Sequence, residues 1–531
     1  MMQNRSKKLI ICLLAASSLA TARPMPTVTG HSFFSVQPLF IEGTPELNTL
    51  YNRYLNECDL TRGCGVFSAT ILGSSSVHWD KDSNNLTSYF FPFNKNCLVV
   101  GEFGSQAVQN NQADLIANYF GVETANPMAI AGEYDFSVGS YQSIITMKPK
   151  QTVIGVGLAY FQKLTNPDGP KGFWLAINTP IVKVRNNLRF REKVLNAGSG
   201  NTPAGYVSTI SDALHGATVF GNKFFQYGRV PNCENGLSKT GLADIEVKVG
   251  RTNICRECCH VASYVGLVIP TGNRPKGEYI FEPIVGNNKH WEILLGTKYG
   301  FKVWDCPERD WRIWCEGIVS SRYIIPNTQR RSVDLIDKQW SRYLWLYPNA
   351  NATSITDITP GINLLTLHLK VHPRFNFNKY VSFTFNAHDR YLAEAGYTIN
   401  IRQAERICLA CPFDQGPGIV GIDANNTTVL HTKTNATIRQ YGSTQAQFIN
   451  VDVNPNVSST SAFVPITHCD LDFTSAAQPA CISQTVFASV GYRLDGYCHE
   501  PFVGLGGSFE FSSENTCLQR ATGWLKGGFN W

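Results

Sequence analysis

Two cysteine clusters, Cys255-Arg-Glu-Cys-Cys259 and Cys408-Leu-Ala-Cys411, have the residue type and spacing of a chemical site. Zinc would need two well-spaced pairs, and the third cysteine at 259 breaks that pattern. A redox pair would need a thioredoxin-like strand–helix–strand setting, and the flanking residues supply none. Structural or intermolecular disulfides are the chemistry left, and fifteen of the sixteen cysteines follow residue 22, an odd number. The eleven histidines are scattered. No Gly-x-Ser-x-Gly, His-Glu-x-x-His or phosphate-loop motif occurs. The expectation is therefore no catalytic residues, no metal, no cofactor and no enzymatic role.

A different set of residues is ordered by period two. Ile154, Val156, Leu158 and Tyr160 alternate with Gly155, Gly157 and Ala159. Trp291, Ile293, Leu295, Tyr299, Phe301 and Val303 oppose Glu292, Lys298 and Lys302. The same alternation recurs over 365–372, 381–386, 397–402, 486–494, 503–511 and 521–531. Successive side chains of a strand point to opposite faces. These runs approach ten residues and end in aromatics, as strands with a lipid-facing apolar face and a polar inner face do. The chain is expected to be all-β, a transmembrane antiparallel barrel of roughly 12–16 strands with long extracellular loops and one or two short N-terminal helices. Lys298, Lys302, Arg312, Glu316, Lys370, Glu394, Arg402, Arg493, Glu510 and Lys526 fall on polar parities and are the expected pore-lining charges.

The elements that must position those charges are bounded by turn-rich connections. Short links at 255–259, 305–309 and 495–496 alternate with long ones near 193–238, 272–288, 326–360 and 412–478. The loop holding Pro270-Thr-Gly-Asn-Arg-Pro275 is dense in proline and glycine, hence rigid. Its Arg274, Lys276, Glu278 and Glu282 would narrow the pore or stay at the surface as a contact site. The final strand carries Leu525, Gly527, Phe529 and Trp531 on one parity and Lys526 on the other. Phe529 and Trp531 are expected to face lipid.

The start of the chain reads as a leader. Arg5, Lys7 and Lys8 precede an apolar run from Leu9 to Ala20, followed by Ala20-Thr-Ala22, where cleavage is expected. Loss of those three cations leaves the mature chain near neutrality, which excludes a nucleic-acid partner. Residues 23–62 form a periplasmic or plug segment, with Thr44-Pro45-Glu46 opening a short helix that ends near Cys58. A second helix is expected over Ala113–Phe120, and residues 63–531 form the barrel. Asn-x-Ser/Thr sites at Asn85, Asn351, Asn425, Asn426, Asn435 and Asn456 would suit a secreted soluble β-glycoprotein. They fall mostly in Asn/Thr-rich loops, where chance supplies them.

Several segments carry a family likeness: Gly65-Val-Phe-Ser-Ala-Thr-Ile71, Leu115-Ile-Ala-Asn-Tyr-Phe-Gly121, Pro270-Thr-Gly-Asn-Arg-Pro275, Phe281-Glu-Pro-Ile-Val-Gly-Asn287, His290-Trp-Glu292, Arg331-Ser-Val-Asp-Leu335, Phe502-Val-Gly-Leu-Gly-Gly507 and Trp524-Leu-Lys-Gly-Gly-Phe529. They resemble the porin-like outer-membrane β-barrel proteins encoded in many copies by host-associated, reduced-genome bacteria. The Ile401-Arg-Gln-Ala-Glu-Arg406 stretch departs from that family's usual turn. The resemblance implies location in the bacterial outer membrane and a Trp531-terminated signal for the barrel-assembly machinery. The expected function is a passive channel for small hydrophilic solutes. The alternative is a non-conducting surface barrel that acts in envelope structure or host-surface binding. Expected partners are outer-membrane lipid, small solutes, and a homo-oligomer or disulfide-linked neighbours.

Overall fold

A computed structural model gives the fold and describes residues 27–50, 65–77, 85–102, 113–122, 141–164, 172–198, 205–219, 223–349, 357–413, 416–422, 429–431, 465–494, 500–512 and 515–530. The leader with its cleavage point, the helix beyond Leu50, Trp531 and all the Asn-x-Ser/Thr sites except Asn85 lie outside these residues.

Twelve long strands form one closed antiparallel barrel. They are β1 (Gly65–Ser76), β2 (Lys150–Lys163), β3 (Phe173–Asn187), β4 (Ile245–Arg256), β5 (Cys259–Ile269) and β6 (Glu292–Cys306). The others are β7 (Trp311–Ile324), β8 (Arg374–Ala387), β9 (Tyr391–Arg402), β10 (Cys481–Arg493), β11 (Pro501–Phe511) and β12 (Arg520–Asn530). Each pairs with its chain neighbour, and β12 returns to β1 with Ile71 opposite Leu525 and Thr70 opposite Lys526. The last strand therefore closes the wall, and the barrel has no free edge. Near one end of β3, the extra strand Leu237–Leu242 takes the place of β4.

The parity expected from sequence sorts the barrel inside out relative to a water-soluble protein. Outward Ile71, Ile154, Val265, Leu295, Val490, Leu505 and Leu525 are exposed, with Ile154 at 67%. Each of the twelve strands contributes at least one exposed apolar side chain to this belt. Exposed aromatics sit at both margins: Phe173, Trp304, Tyr391 and Phe529 at one end, Trp291, Tyr323 and Phe375 at the other. The inward parity is mostly polar, charged or small, with interspersed aromatics. Several of these aromatics lie across a glycine of the adjacent strand. A Cβ on Gly250 would come within 2.1 Å of the Trp174 ring, so that close approach requires glycine.

The two barrel ends differ. At the end where β12 finishes, β4 joins β5 through two residues, and β8 joins β9 through residues 388–390. At the other end the described residues of the links 77–149, 188–244, 270–291, 325–373 and 403–480 build a cap with its own core. Trp340, Tyr343, Phe90, Phe91, Phe120 and Phe225 form the centre of that core. The Cys481–Cys517 disulfide ties the start of β10 to the short link before β12.

Two expectations are corrected in the cap. Thr366–His372 alternates as expected, but it pairs with Asn327–Ser332 and Arg406–Leu409 in a separate three-stranded sheet. Its apolar face, including Leu369 and Val371, is buried in protein, so Lys370 is an exposed cap residue and lines no barrel. Alternation reports one buried face and does not say what covers it. Ala113–Phe120 is not an α-helix: Leu115–Ile116 pairs parallel with Val100–Gly101, and Ala117–Phe120 is a 3-10 turn. Leu115, Ala117 and Phe120 are all fully buried, so burial on every side replaces an amphipathic face. Among the described residues, the N-terminal helix is the single turn Pro45–Asn48.

Candidate functional site

The candidate site is the barrel lumen, and residues 27–50 of the same chain thread it. The segment enters through the cap. His31 Nδ1 lies 3.0 Å from the Ala477 carbonyl, Phe34 joins the cap core, and Ser35 N donates to Gln478. Phe40 then seats against β2 at Gly157, where a Cβ would lie 2.4 Å from the ring. Leu50 ends the described segment against Gly491 and Gly504, near the short-turn end.

The segment has little regular structure, so its main-chain groups need partners from outside. The inward face of the barrel supplies them from several sides. Lys526 Nζ donates to the carbonyls of Leu47 at 2.8 Å and Thr49 at 2.6 Å. Arg322 donates to Glu42 O, Arg402 to Ser35 O at 3.1 Å, and Arg520 to Gln37 O at 2.9 Å. Glu394 accepts from the Leu50 amide at 3.2 Å and from the Tyr380 hydroxyl. Lysine and arginine are pure donors, which suits a wall that binds carbonyls.

At the centre lies a buried charge cluster. Glu42 of the threaded segment pairs with Lys248 of β4 and, at 3.5 Å, with Lys298 of β6. Arg322 of β7 pairs with Glu246 at 2.5 Å and Glu292 at 3.1 Å. Lys248 also lies 3.7 Å from Glu246. Three cations thus face three carboxylates, and one carboxylate belongs to the threaded segment. Burying such charges is costly unless each is paired. Glu42, itself fully buried, completes the balance.

The sequence-predicted charges fall into three groups. Lys298, Glu316, Glu394, Glu510 and Lys526 are buried on the inward parity, and Arg402 points inward at the cap end. Glu510 pairs with Arg520 at 2.5 Å. Lys302, Arg312 and Arg493 gather at the short-turn end, paired with Asp305, Asp310 with Asp389, and Glu500. Lys370 stands apart in the cap. Sequence reasoning missed Glu42, Glu246, Lys248, Arg322 and Arg520. Glu246 and Lys248 alternate with Ile245, Val247 and Val249 and could have been found by the same rule; Glu42 has no periodic neighbour to betray it.

The Pro/Gly-rich loop does not place its charges in the lumen. Arg274 and Lys276 are exposed, and Lys276 pairs with Glu278 at 3.5 Å at the surface. Glu282 instead accepts from the amides of Lys276 and Glu278 at 2.7 and 2.8 Å, closing the loop on itself. The loop meets the threaded segment through Asn288 Nδ2 and Ser35 Oγ at 2.9 Å and through Phe281 beside Phe34.

Titration at this rim runs in two directions. Burial holds His290 at about 4, below its ordinary value, even though its Nδ1 donates to Ile325 O at 2.8 Å. Burial likewise holds His31 at about 4. Burial, with the Glu292 charge, pushes Asp244 up to about 7 while it accepts from the Asn287 amide.

No family model and no curated protein sequence matches the chain. Among solved structures, an outer membrane channel from Pseudomonas putida F1 is 8% identical, covering 89% of this chain and 97% of that one at a TM-score of 0.36. A TodX monoaromatic hydrocarbon channel bearing the deltaS2 mutation is 7% identical, covering 89% and 90% at 0.28. A Pseudomonas aeruginosa FadL homologue is 8% identical, covering 95% and 98% at 0.27. At this level of similarity the comparisons carry no argument about cargo.

Proposed function

We propose that the chain is a bacterial outer-membrane barrel whose polar lumen is a passive route for small hydrophilic solutes, closed here by residues 27–50. The observation that carries this reading is the reversal of the barrel's two faces. An unbroken apolar belt with aromatic margins needs lipid around it, because exposed apolar surface on this scale is unfavourable in water. The other face is polar where a purely structural barrel would gain from apolar filling. Ser68, Thr70, Ser320, Thr384, Thr398 and Ser489 line it with hydroxyls that have no hydrogen-bond partner among the described residues. Such a wall suits passage of hydrated solutes once the threaded segment leaves, with selectivity set by lumen width and charge. Short turns at one end and long loops at the other suit periplasmic and extracellular orientation. The motif resemblance to the multi-copy porin-like barrels of host-associated bacteria agrees with this location.

A second reading has its own support. The cap core spans the lumen mouth and incorporates Phe34 of the threaded segment, as a permanently sealed surface barrel would. The test is solute flux into liposomes carrying the full, heat-modifiable barrel. Flux of small sugars that falls with solute size supports the channel. Absence of flux from folded, inserted protein leaves the sealed barrel. Deleting Phe529 to Trp531 is expected to prevent assembly.

A further inference from the structure

Outside the lumen, a cleft of about 760 Å³ opens where the barrel wall meets the cap. Four cations line it: Lys150 at the start of β2, Arg185 near the end of β3, and Arg189 and Arg191 just beyond. The acidic group in its wall is Glu234, so the cleft carries a clear positive excess. No carboxylate pairs with any of the four cations among the described residues.

Their height on the wall identifies what they meet. β2 and β3 pair with Thr152 opposite Arg185, Ile154 opposite Lys183 and Val156 opposite Ile181. These residues share the outward parity. Ile154, Val156 and Ile181 belong to the exposed apolar belt. Outward neighbours along a strand are about 7 Å apart. The surface therefore changes from apolar to cationic within one such step. That is the level of lipid headgroups, on the leaflet nearer the cap.

The cleft is a preformed feature. Asn187 Nδ2 donates to Glu234 O at 2.6 Å, Gly236 N donates to Cys233 O at 3.1 Å, and Gly236 packs so closely on Asn186 that no Cβ fits. Its volume lies in the size range of ligand sites. Guanidinium groups bind phosphate through paired hydrogen bonds.

We propose that this cleft binds the phosphorylated sugar headgroup of a glycolipid in the cap-side leaflet, with the acyl chains lying along Ile154, Val156 and Ile181. The site rests on the membrane reading above. It would fix one lipid beside β2, the strand against which Phe40 of the threaded segment seats.

The test uses the full chain in lipid nanodiscs containing a bis-phosphorylated glucosamine glycolipid, with native mass spectrometry after mild detergent release. The wild type is expected to retain one such lipid. The Arg185→Gln/Arg189→Gln double variant should retain it roughly tenfold less well or worse, as loss of charge-assisted contacts requires. Arg309→Gln, a single charge loss at the opposite end, should change nothing. Equal retention of the dephosphorylated glycolipid, or by the double variant, overturns the site while leaving the membrane reading intact. Displacement by millimolar inorganic phosphate assigns the cleft to free phosphate and also overturns it. A barrel that does not insert into the nanodisc overturns both.

Discussion

Replacing Glu42 by Gln should loosen the threaded segment more than any other single change. The substitution keeps size and removes one charge from a balanced cluster. Lys298 then loses its ion-pair carboxylate at 3.5 Å, and Lys248 loses its closest one. Removing one partner of a buried pair typically costs about 3–5 kcal/mol, because the other charge stays buried. The cost falls on the threaded state: with the segment out, both lysines face a wet lumen. At about 1.4 kcal/mol per factor of ten, the ratio of open to closed barrels should rise by roughly two to three and a half orders of magnitude. The assay is the initial rate of small-sugar entry into liposomes at equal amounts of heat-modifiable barrel. A second substitution, Lys298→Met, restores neutrality and should return the rate toward that of the wild type. The reasoning is refuted if Glu42→Gln leaves the rate unchanged in folded protein, or if Lys298→Met adds to the effect.

Other outcomes follow from the same geometry. Gly157→Val should push Phe40 off β2 and raise sugar entry without reducing barrel assembly, as judged by gel mobility before and after heating. Leu525→Arg, outward on β12, should cost about 2–4 kcal/mol near the bilayer middle and deplete the membrane fraction. For pH, the sign follows from His290: its folded pKa is depressed, so its stabilisation is full above 6.5 and is lost as pH falls toward 4. Between pH 7 and 5 that loss is about 2 kcal/mol, and His290→Gln should remove this part of the pH slope in urea unfolding. Asp244 carries the opposite sign: raised to about 7, its contribution is full below 3.8 and is lost as pH rises through 7, so Asp244→Asn should flatten stability there.

The barrel was legible because its wall repeats one rule. Leu525 and Phe529 alternate with Lys526, and burial separates them as the alternation requires. The closing of β12 on β1 was also within reach. The rule fails where strands are buried by protein instead of lipid, as Thr366–His372 shows. It is silent on irregular chain. Glu42 meets Lys248 across 206 residues of sequence, and neither local spacing nor composition encodes that meeting. The lumen charges could be listed from parity, but their partner could not, because it arrives from a segment without a period. The rim cleft was hidden for a similar reason: Lys150 and Arg191 come together only when β2, β3 and the following strand are assembled.

Single-channel recording of the unmodified protein in planar bilayers tests the central claim most directly. A polar lumen closed by its own N-terminal segment predicts long silent periods broken by discrete, uniform current steps. A folded, heat-modifiable barrel that inserts and stays silent at every voltage, with Glu42→Gln equally silent, would contradict it.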